Sequence, residues 1–286
     1  MPFKTRIRHL PRPAWALAVL VAGVSGCAHY AQLPDTPARH VSYIDLNDPA
    51  PPGEHYYLLI FGSQTTPKIP RFTHTWVTFV RVPCPDGPVE QQTISWMPSK
   101  LFINTFQPFV EQGVNLTMIQ SIEMARTYGE RVSLWGPYEI PPGLYRKLLI
   151  QKEFIESGAI GYQCIDTMGE AALYGDGSNC IHAISDADAM FTRQAYPLSF
   201  FGEAASLNIL QQLVMRKAIT DVETTHDWLI PQLGLDQYPI VRREYTPPWF
   251  PERFRMRMMG VEDGERTSLY PPRDSKSLKS RVWLSE

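Results

Sequence analysis

The first 26 residues limit what this chain can fold into more than any other feature, because they differ sharply from the rest. Four basic residues and no acidic ones occupy the first twelve positions: Lys4, Arg6, Arg8 and Arg12. Residues 14–26 are then an unbroken run of small and apolar residues. A helix needs roughly 20 residues to cross a bilayer core of about 30 Å, so this run is too short for a permanent span. The pattern predicts a cleaved export signal over residues 1–26, and only the remainder folds.

The residues at the end of this segment indicate what happens after cleavage. Val24-Ser25-Gly26-Cys27 resembles the lipobox of bacterial lipoproteins, in which the cysteine becomes the lipidated, palmitate-carrying N-terminus. The resemblance implies lipidation at Cys27 and a periplasm-facing, lipid-anchored location in the cell envelope. Ala28 follows in place of the aspartate that retains lipoproteins at the inner membrane, which favours the outer membrane in a Gram-negative cell. An ordinary secretory signal, with Cys27 there by chance, is the alternative.

Length and composition suggest one globular domain with two extensions. Residues 27–54 are rich in Pro, Asp and Ala without a sustained period, so we interpret them as a tether. Residues 55–235 are long enough to bury a substantial core and form the predicted domain. Residues 236–286 are rich in Pro and Arg and are predicted to wrap the surface as a C-terminal extension, in part disordered.

Composition and missing motifs argue against several functions. The net charge of −2 provides no field to attract nucleic acid. The chain has no His-Glu-x-x-His, Cys-x-x-Cys or Gly-x-Ser-x-Gly motif, so neither a metal nor a cofactor is predicted. Asp186 and Asp188 are interpreted as solvated acids on a helix face.

Hydrophobic patterns predict an α+β fold with an antiparallel sheet. A hairpin is expected where two strands flank the turn around Asp86 and Gly87. The predicted strands are residues 56–61, 72–82, 89–97, 131–135 and 160–165. The predicted helices are residues 116–127, 142–156 and 201–217, and another that starts near Cys180 and continues to Met190.

Three cysteines remain after Cys27, and in an oxidising compartment three cannot all pair. Cys84 lies in a Pro-rich turn, and Cys164 alternates with apolar residues in a predicted strand, where it fits as a small buried side chain. Cys180 follows the glycine-rich residues 175–179 and opens a predicted helix. Cys180 is therefore the candidate reactive thiol.

The expected setting of Cys180 favours a nucleophile. Backbone N–H groups and the positive end of a helix dipole stabilise a thiolate, so we expect a lowered pKa. The Cys180 N–H and the Asn179 side chain are candidate donors to a developing oxyanion. Asn179 is equally well explained as a helix N-cap.

A thiol nucleophile needs a base, and His74 is the best-placed candidate. It lies mid-strand between apolar residues, where an imidazole must find a polar partner. A structural histidine bonded to a backbone carbonyl is the alternative. His182 is closer in sequence, but residues two apart on a helix point about 200° apart, so it is expected to pack or cap.

These motifs together resemble a known family. A strand with Gly-Ser upstream of His74-Thr75-Trp76, followed by Ser178-Asn179-Cys180 before a helix, is similar to the circularly permuted papain-like hydrolases and acyltransferases. That superfamily includes envelope proteins such as a lipoprotein N-acyltransferase group. The resemblance covers residues 56–190. It implies a permuted papain-like sheet packed against a helix that carries the cysteine.

By the same resemblance, Cys180 would be the nucleophile, His74 the general base and a third polar group the one that orients the imidazole. Ser95 is a candidate for the third group, because the hairpin brings residues near 95 beside Trp76. The implied reaction is attack on an amide or ester of the envelope, such as a peptidoglycan peptide or a lipoprotein. A non-catalytic lipoprotein with a scaffolding or binding role, in which Cys180 is disulfide-bonded to Cys164 or Cys84, remains the alternative.

Overall fold

A computed structural model describes Leu46, residues 49–83, 88–188 and 201–247, and the backbone of 267–269. The predicted signal segment, the lipidation site Cys27 and Cys84 lie outside the described residues, as does most of the predicted tether. The structure confirms a mixed α+β fold built on a mostly antiparallel sheet.

One six-stranded sheet organises the molecule, in the order β10-β9-β6-β1-β2-β3. Its strands are β1 (His55–Gln64), β2 (Thr73–Val82), β3 (Glu90–Ile94), β6 (Arg131–Glu139), β9 (Ile240–Arg243) and β10 (Thr267–Leu269). Two small ladders pair β4 (Trp96–Pro98) with β5 (Gly113–Asn115), and β7 (Gly161–Tyr162) with β8 (Gly177–Ser178). All neighbours in the large sheet are antiparallel except β6 and β9, which are parallel.

Helices cover both faces of this sheet, because its central strands are apolar on both sides. The helices are α1 (Met118–Thr127), α2 (Pro142–Glu156), α3 (Gly169–Tyr174), α4 (His182–Ser185), α5 (Glu203–Met215) and α6 (Leu229–Gln232). One face packs against α2, α4 and α5, and contributes Val77 and Phe79 from β2. The other packs against α1 and α6, and contributes Trp76 and Val80. Alternate residues of β2 therefore belong to two separate cores.

The predicted hairpin is confirmed, with a difference in its second strand. β2 and β3 pair in a register that sets Val77 opposite Ile94. The run predicted as one strand over residues 89–97 breaks at Ser95, and Trp96 begins β4, which leaves the sheet. The Asn115 side chain accepts from the Ser95 N–H at 2.7 Å, which replaces the ladder bond lost at the break.

The C-terminal boundary predicted at residue 235 falls inside the domain. Ile240–Arg243 forms β9, a buried strand in register with Val132–Trp135 of β6. Two arginines in the segment suggested a surface, but both are buried and paired with acids, Arg242 with Asp227 and Arg243 with Glu203. Residues 248–266 and 270–286 of the predicted extension lie outside the described residues.

Among the helices that the structure describes, none is both long and apolar enough to cross a membrane.

Candidate functional site

His74 sits near the start of β2, with its side chain on the α1 face of the sheet. The ring is 1% exposed and stacks on Trp76, two residues along the strand, with 5.3 Å between ring centroids. Its Nε2 lies 2.7 Å from the Oγ of Ser95, at the break between β3 and β4. The structure therefore brings together two of the predicted site residues, His74 and Ser95.

Two further groups extend this contact into a chain of hydroxyls. The Oγ of Ser121, on the first turns of α1, lies 2.7 Å from the Ser95 Oγ and 2.8 Å from the Thr117 carbonyl oxygen. Ser121 is the donor in both contacts, so its one proton is shared between the Thr117 carbonyl and the Ser95 Oγ. The Ser95 hydroxyl can either donate to Nε2 or accept from it. The hydroxyls therefore suit either neutral tautomer of His74.

The Nδ1 atom of His74 differs from Nε2, which contacts Ser95. It is buried and has no hydrogen-bond partner among the described residues. Burial lowers the pKa of His74 to about 3, because a charged ring would lose its hydration without gaining a partner. His74 is therefore a neutral imidazole whose Nδ1 has no partner.

Cys180 lies in the turn immediately before α4, and buried polar groups hold that turn. The Asp166 carboxylate accepts from the Asn179 N–H at 3.0 Å and contacts the Nδ1 of His182 at 2.7 Å. Both Asp166 and His182 are fully buried. The Asp166 carboxylate therefore holds the chain at Asn179 and at His182, on either side of Cys180. His182 packs against this acid.

The thiol of Cys180 does not have the lowered pKa that the sequence suggested. Burial is the largest effect and raises the pKa to about 12, and the negative charge of Asp166 adds to it. Hydrogen bonds from the backbone of Thr75, Cys180 and Ile181 act in the opposite direction and are weaker. α4 is only four residues long, so little helix dipole is available to offset burial. The resting cysteine is a neutral thiol.

The hydrogen bond from the Thr75 backbone to the Cys180 sulfur brings the thiol near His74 along the chain. Thr75 follows His74 directly, so the sulfur touches the backbone of β2 one residue from the imidazole. β3 ends opposite Val77, so this part of β2 extends past it. The His74 ring lies with Trp76 on the α1 face, whereas Cys180 belongs to the core on the other face. In this arrangement no hydrogen bond joins the thiol to Nδ1.

Asn179 acts as a cap. Its Oδ1 accepts from the N–H groups of Ile181 and His182, both at 2.9 Å. Its Nδ2 donates to the Cys164 carbonyl at 3.2 Å and to Asp166 at 3.0 Å. Both amide protons are used, so the side chain has none left for an oxyanion. Of the two donors considered from sequence, only the Cys180 N–H can fill that role, because the neighbouring N–H groups are bonded to Asn179 and Asp166.

Cys164 lies beside Cys180. β7 and β8 pair in parallel with Tyr162 opposite Ser178, and each cysteine follows its strand by two residues. Both cysteines are buried free thiols. Burial, followed by the neighbouring Cys180, raises the pKa of Cys164 to about 12. The disulfide considered from sequence is therefore absent here, although its two sulfurs are neighbours.

Two clefts open next to these elements without reaching the thiol. One, of about 620 Å³, is lined by Trp96, Val110 and residues 158–161, among others. The other, of about 420 Å³, is lined by Thr93 and residues 115–119 at the start of α1, among others. His74 and Cys180 line neither cleft. Cys180 is 5% exposed, so a substrate requires the chain around it to move. Within the described residues, no three His, Cys, Asp or Glu side chains group as metal ligands.

Sequence reasoning missed two residues of this constellation, Ser121 and Asp166. Ser121 lies on the buried stripe of α1, where a serine among Met118, Ile122 and Ala125 is a detectable anomaly. Asp166 follows the apolar stretch that contains Cys164, so an acid at that point was also a signal. Neither could be assigned to His74 or Cys180 without the pairing of distant segments.

Comparisons of the chain with protein-family models, with curated proteins and with solved structures find no match.

Proposed function

We propose that this protein is a lipid-anchored cysteine hydrolase or acyltransferase of the cell envelope, of the permuted papain-like type, with Cys180 as nucleophile and His74 as general base. The observation that carries the proposal is a buried, neutral imidazole with an unpartnered Nδ1, one residue from the backbone N–H that holds the Cys180 thiol. A buried nitrogen without a partner costs free energy, so it argues for a role beyond packing.

The chemistry begins when His74 Nδ1 takes the Cys180 proton and the sulfur attacks the carbonyl carbon of an amide or ester. The C–O double bond opens to an oxyanion, to which the backbone N–H of Cys180 is suited to donate a hydrogen bond. The intermediate collapses, the C–N or C–O bond breaks, and the imidazolium gives its proton to the leaving amine or alcohol. A thioester on Cys180 remains.

The second half of the cycle regenerates the thiol. A water molecule or an acceptor amine attacks the thioester carbonyl while Nδ1 removes its proton. The S–C bond breaks, and the sulfur takes the proton back from the imidazolium. Water as the acceptor gives a hydrolase and an amine gives an acyltransferase, and both use the same two residues. A peptidoglycan peptide or a lipoprotein would supply the envelope amide or ester.

The resting geometry sets one requirement on this mechanism. The Cys180 thiol and the His74 ring lie on opposite faces of the sheet and are not bonded at rest, so the thiol must leave its contact with Thr75 and move past the edge of β2 to reach Nδ1. Ionisation of Cys180 and His74 in a site that excludes water is favourable only when the thiolate and the imidazolium form in contact with each other. The enzyme would therefore rest as a neutral pair and ionise when a substrate opens the site.

The experiment that tests the proposal is acyl-enzyme trapping. The protein without its signal segment is mixed with a small activated ester, p-nitrophenyl acetate, and intact mass spectrometry with peptide mapping locates any acetyl group. We expect one acetyl group on Cys180, lost in Cys180→Ala and reduced at least tenfold in rate in His74→Ala. Cys164→Ala is the matched control, since it removes the neighbouring buried thiol and should acetylate normally. Acetylation absent from the wild type, or unaffected by His74→Ala, would overturn the proposal.

A non-catalytic scaffolding or binding role is the second candidate, and the burial of Cys180 favours it. A thiol that is 5% exposed, with a pKa raised to about 12, is typical of a structural cysteine. On this alternative, Cys180→Ala leaves binding to envelope components unchanged and the wild type never forms a thioester. The mass experiment separates the two candidates.

A further inference from the structure

An apolar surface beside the candidate site is exposed in the described part of the chain. Its members share large hydrophobic side chains and substantial exposure, from 43% for Phe102 to 74% for Phe106. They are Phe102, Phe106, Phe109, Met168, Leu173 and Tyr174. Single exposed hydrophobic residues are common on proteins, but six on two segments that are hydrogen-bonded to each other indicate a partner.

Two segments build this surface, the loop between β4 and β5 and the helix α3. The Pro108 carbonyl accepts from the Glu170 N–H at 2.8 Å, and the Glu170 carboxylate accepts from the Val110 N–H at 2.7 Å. Gly169 makes this contact possible, because a Cβ at that position would lie 2.2 Å from the Pro108 carbonyl oxygen. The aromatic loop is therefore fixed against α3 and is held open to solvent.

The charges around the surface indicate what kind of partner fits it. Residues 99–110 contain no acid and a single base, Lys100, which pairs with Glu111 at 2.7 Å. The one acid of α3, Glu170, is turned inward to Val110. The surface therefore offers neither an excess of positive charge nor of negative charge, and its attraction to a partner must be apolar.

We propose that this apolar surface rests on a lipid bilayer and inserts its aromatic side chains among the lipid headgroups. Docking of this surface depends on the predicted lipid anchor at Cys27, and so rests on that part of the proposed function. The 27 residues from 28 to 54 span at most about 90 Å and on average about 30 Å, so an anchored domain stays next to the membrane. At that local concentration, a weakly binding apolar surface is held on the bilayer.

The position of the surface gives this docking a consequence for the site. α3 ends at Tyr174, and the chain passes through β8 to Cys180 within six residues. A surface that lies on the membrane would set the Cys180 turn close to the headgroups. An acyl chain or a lipid-linked peptide would then reach the thiol without leaving the bilayer.

The test is vesicle binding by the chain from residue 28 to 286, which has no lipid anchor. It is sedimented with vesicles of phosphatidylethanolamine and phosphatidylglycerol, and with phosphatidylcholine vesicles. We expect binding to both, little changed by about 0.5 M salt because the contact is apolar. The double variant Phe106→Ser with Phe109→Ser should bind at least tenfold more weakly. Met215→Ser is the matched control, since this exposed side chain lies at the end of α5, and it should bind as the wild type does.

Three results would overturn the inference. The first is a wild type that does not bind vesicles, and the second is a double variant that binds as well as the wild type. The third is an oligomer, seen by analytical ultracentrifugation, that the double variant dissociates while no vesicle binds, which would assign the surface to a second copy of the chain. Acetylation of Cys180 by a water-soluble ester does not need the membrane, so failure here leaves the proposed chemistry separately testable.

Discussion

At the scale of single residues, the hydrogen bonds of His74 define the candidate site more clearly than the contacts of Cys180 do. A chain of hydroxyls runs from His74 Nε2 through Ser95 to Ser121 and the Thr117 carbonyl. The strand position of His74 and the proximity of Ser95 could be anticipated from the sequence. The neutral state of the ring could not, because it depends on burial from both the sheet and α1.

The pH dependence of folding should report the burial of His74. Its pKa is about 3 in the folded protein against about 6.5 unfolded, so the unfolded chain binds more protons below pH 6.5. Stability is fully present above pH 6.5 and falls as the pH drops toward 3. Between pH 7 and 5 the wild type should lose about 2 kcal/mol more than His74→Gln in urea unfolding. Parallel curves for the two proteins would contradict a buried neutral imidazole.

Ser121→Ala should change which nitrogen of His74 carries the proton. Without Ser121, the Ser95 hydroxyl loses the donor from which it accepts, and the ring proton moves toward Nε2, where it can replace that donor. Nitrogen-15 shifts of the His74 ring measure this directly. Thr78→Val is the matched control, since it removes a buried hydroxyl on the same face that bonds Thr93 and not His74. An unchanged tautomer in Ser121→Ala would refute this role of Ser121.

At the scale of elements, regular periodic segments were predicted well and irregular ones were not. The hairpin and α1, α2 and α5 lie close to their predicted positions. The strand expected over residues 160–165 is only Gly161–Tyr162, and the helix expected to run from Cys180 to Met190 is described as His182–Ser185, with Met190 outside the described residues. These short elements are held by distant partners such as Asp166 and Glu111, which no local pattern reveals.

The N-terminus of α1 should be a measurable source of stability. Thr117 and Gln120 form a reciprocal capping box, with side chain to backbone bonds of 3.3 and 2.9 Å. Thr117→Ala should reduce the free energy of unfolding by about 1 kcal/mol. Thr127→Ala, which removes an exposed threonine at the other end of the same helix, should cost less than about 0.5 kcal/mol. Equal losses in the two variants would show that the cap contributes nothing specific.

At the scale of the whole molecule, a buried acid joins parts of the chain that are far apart in sequence. Glu203, at the start of α5, accepts from the Arg131 guanidinium at 3.0 and 2.9 Å and from Ser133 at 2.5 Å on β6. It also pairs with Arg243 of β9 at 3.4 Å. The sequence suggested a surface segment at residues 240–243 because its arginines could not be matched to an acid 40 residues earlier.

Replacing this acid should destabilise the whole fold. Glu203→Gln leaves the buried guanidinium of Arg243 without its counter-charge, and removing one partner of such a pair costs about 3 kcal/mol or more. Glu153→Gln, at an exposed position on α2, is the control and should change stability by less than about 0.5 kcal/mol. Urea unfolding gives both values. A loss below about 1 kcal/mol in Glu203→Gln would mean that β9 is held to the sheet by packing alone.

The measurement that tests the central claim most directly is the rate at which Cys180 reacts with iodoacetamide between about pH 5 and 9. A thiol served by a neutral imidazole reacts through an internal proton transfer that pH does not alter between pKa values of about 3 and 12. An isolated thiol reacts only as its thiolate, so its rate rises about tenfold for each pH unit below the pKa of the thiol. We predict a flat profile in the wild type and in Cys164→Ser, and a slower, tenfold-per-unit profile in His74→Ala. A wild type that follows the steep profile would contradict the Cys180–His74 pair.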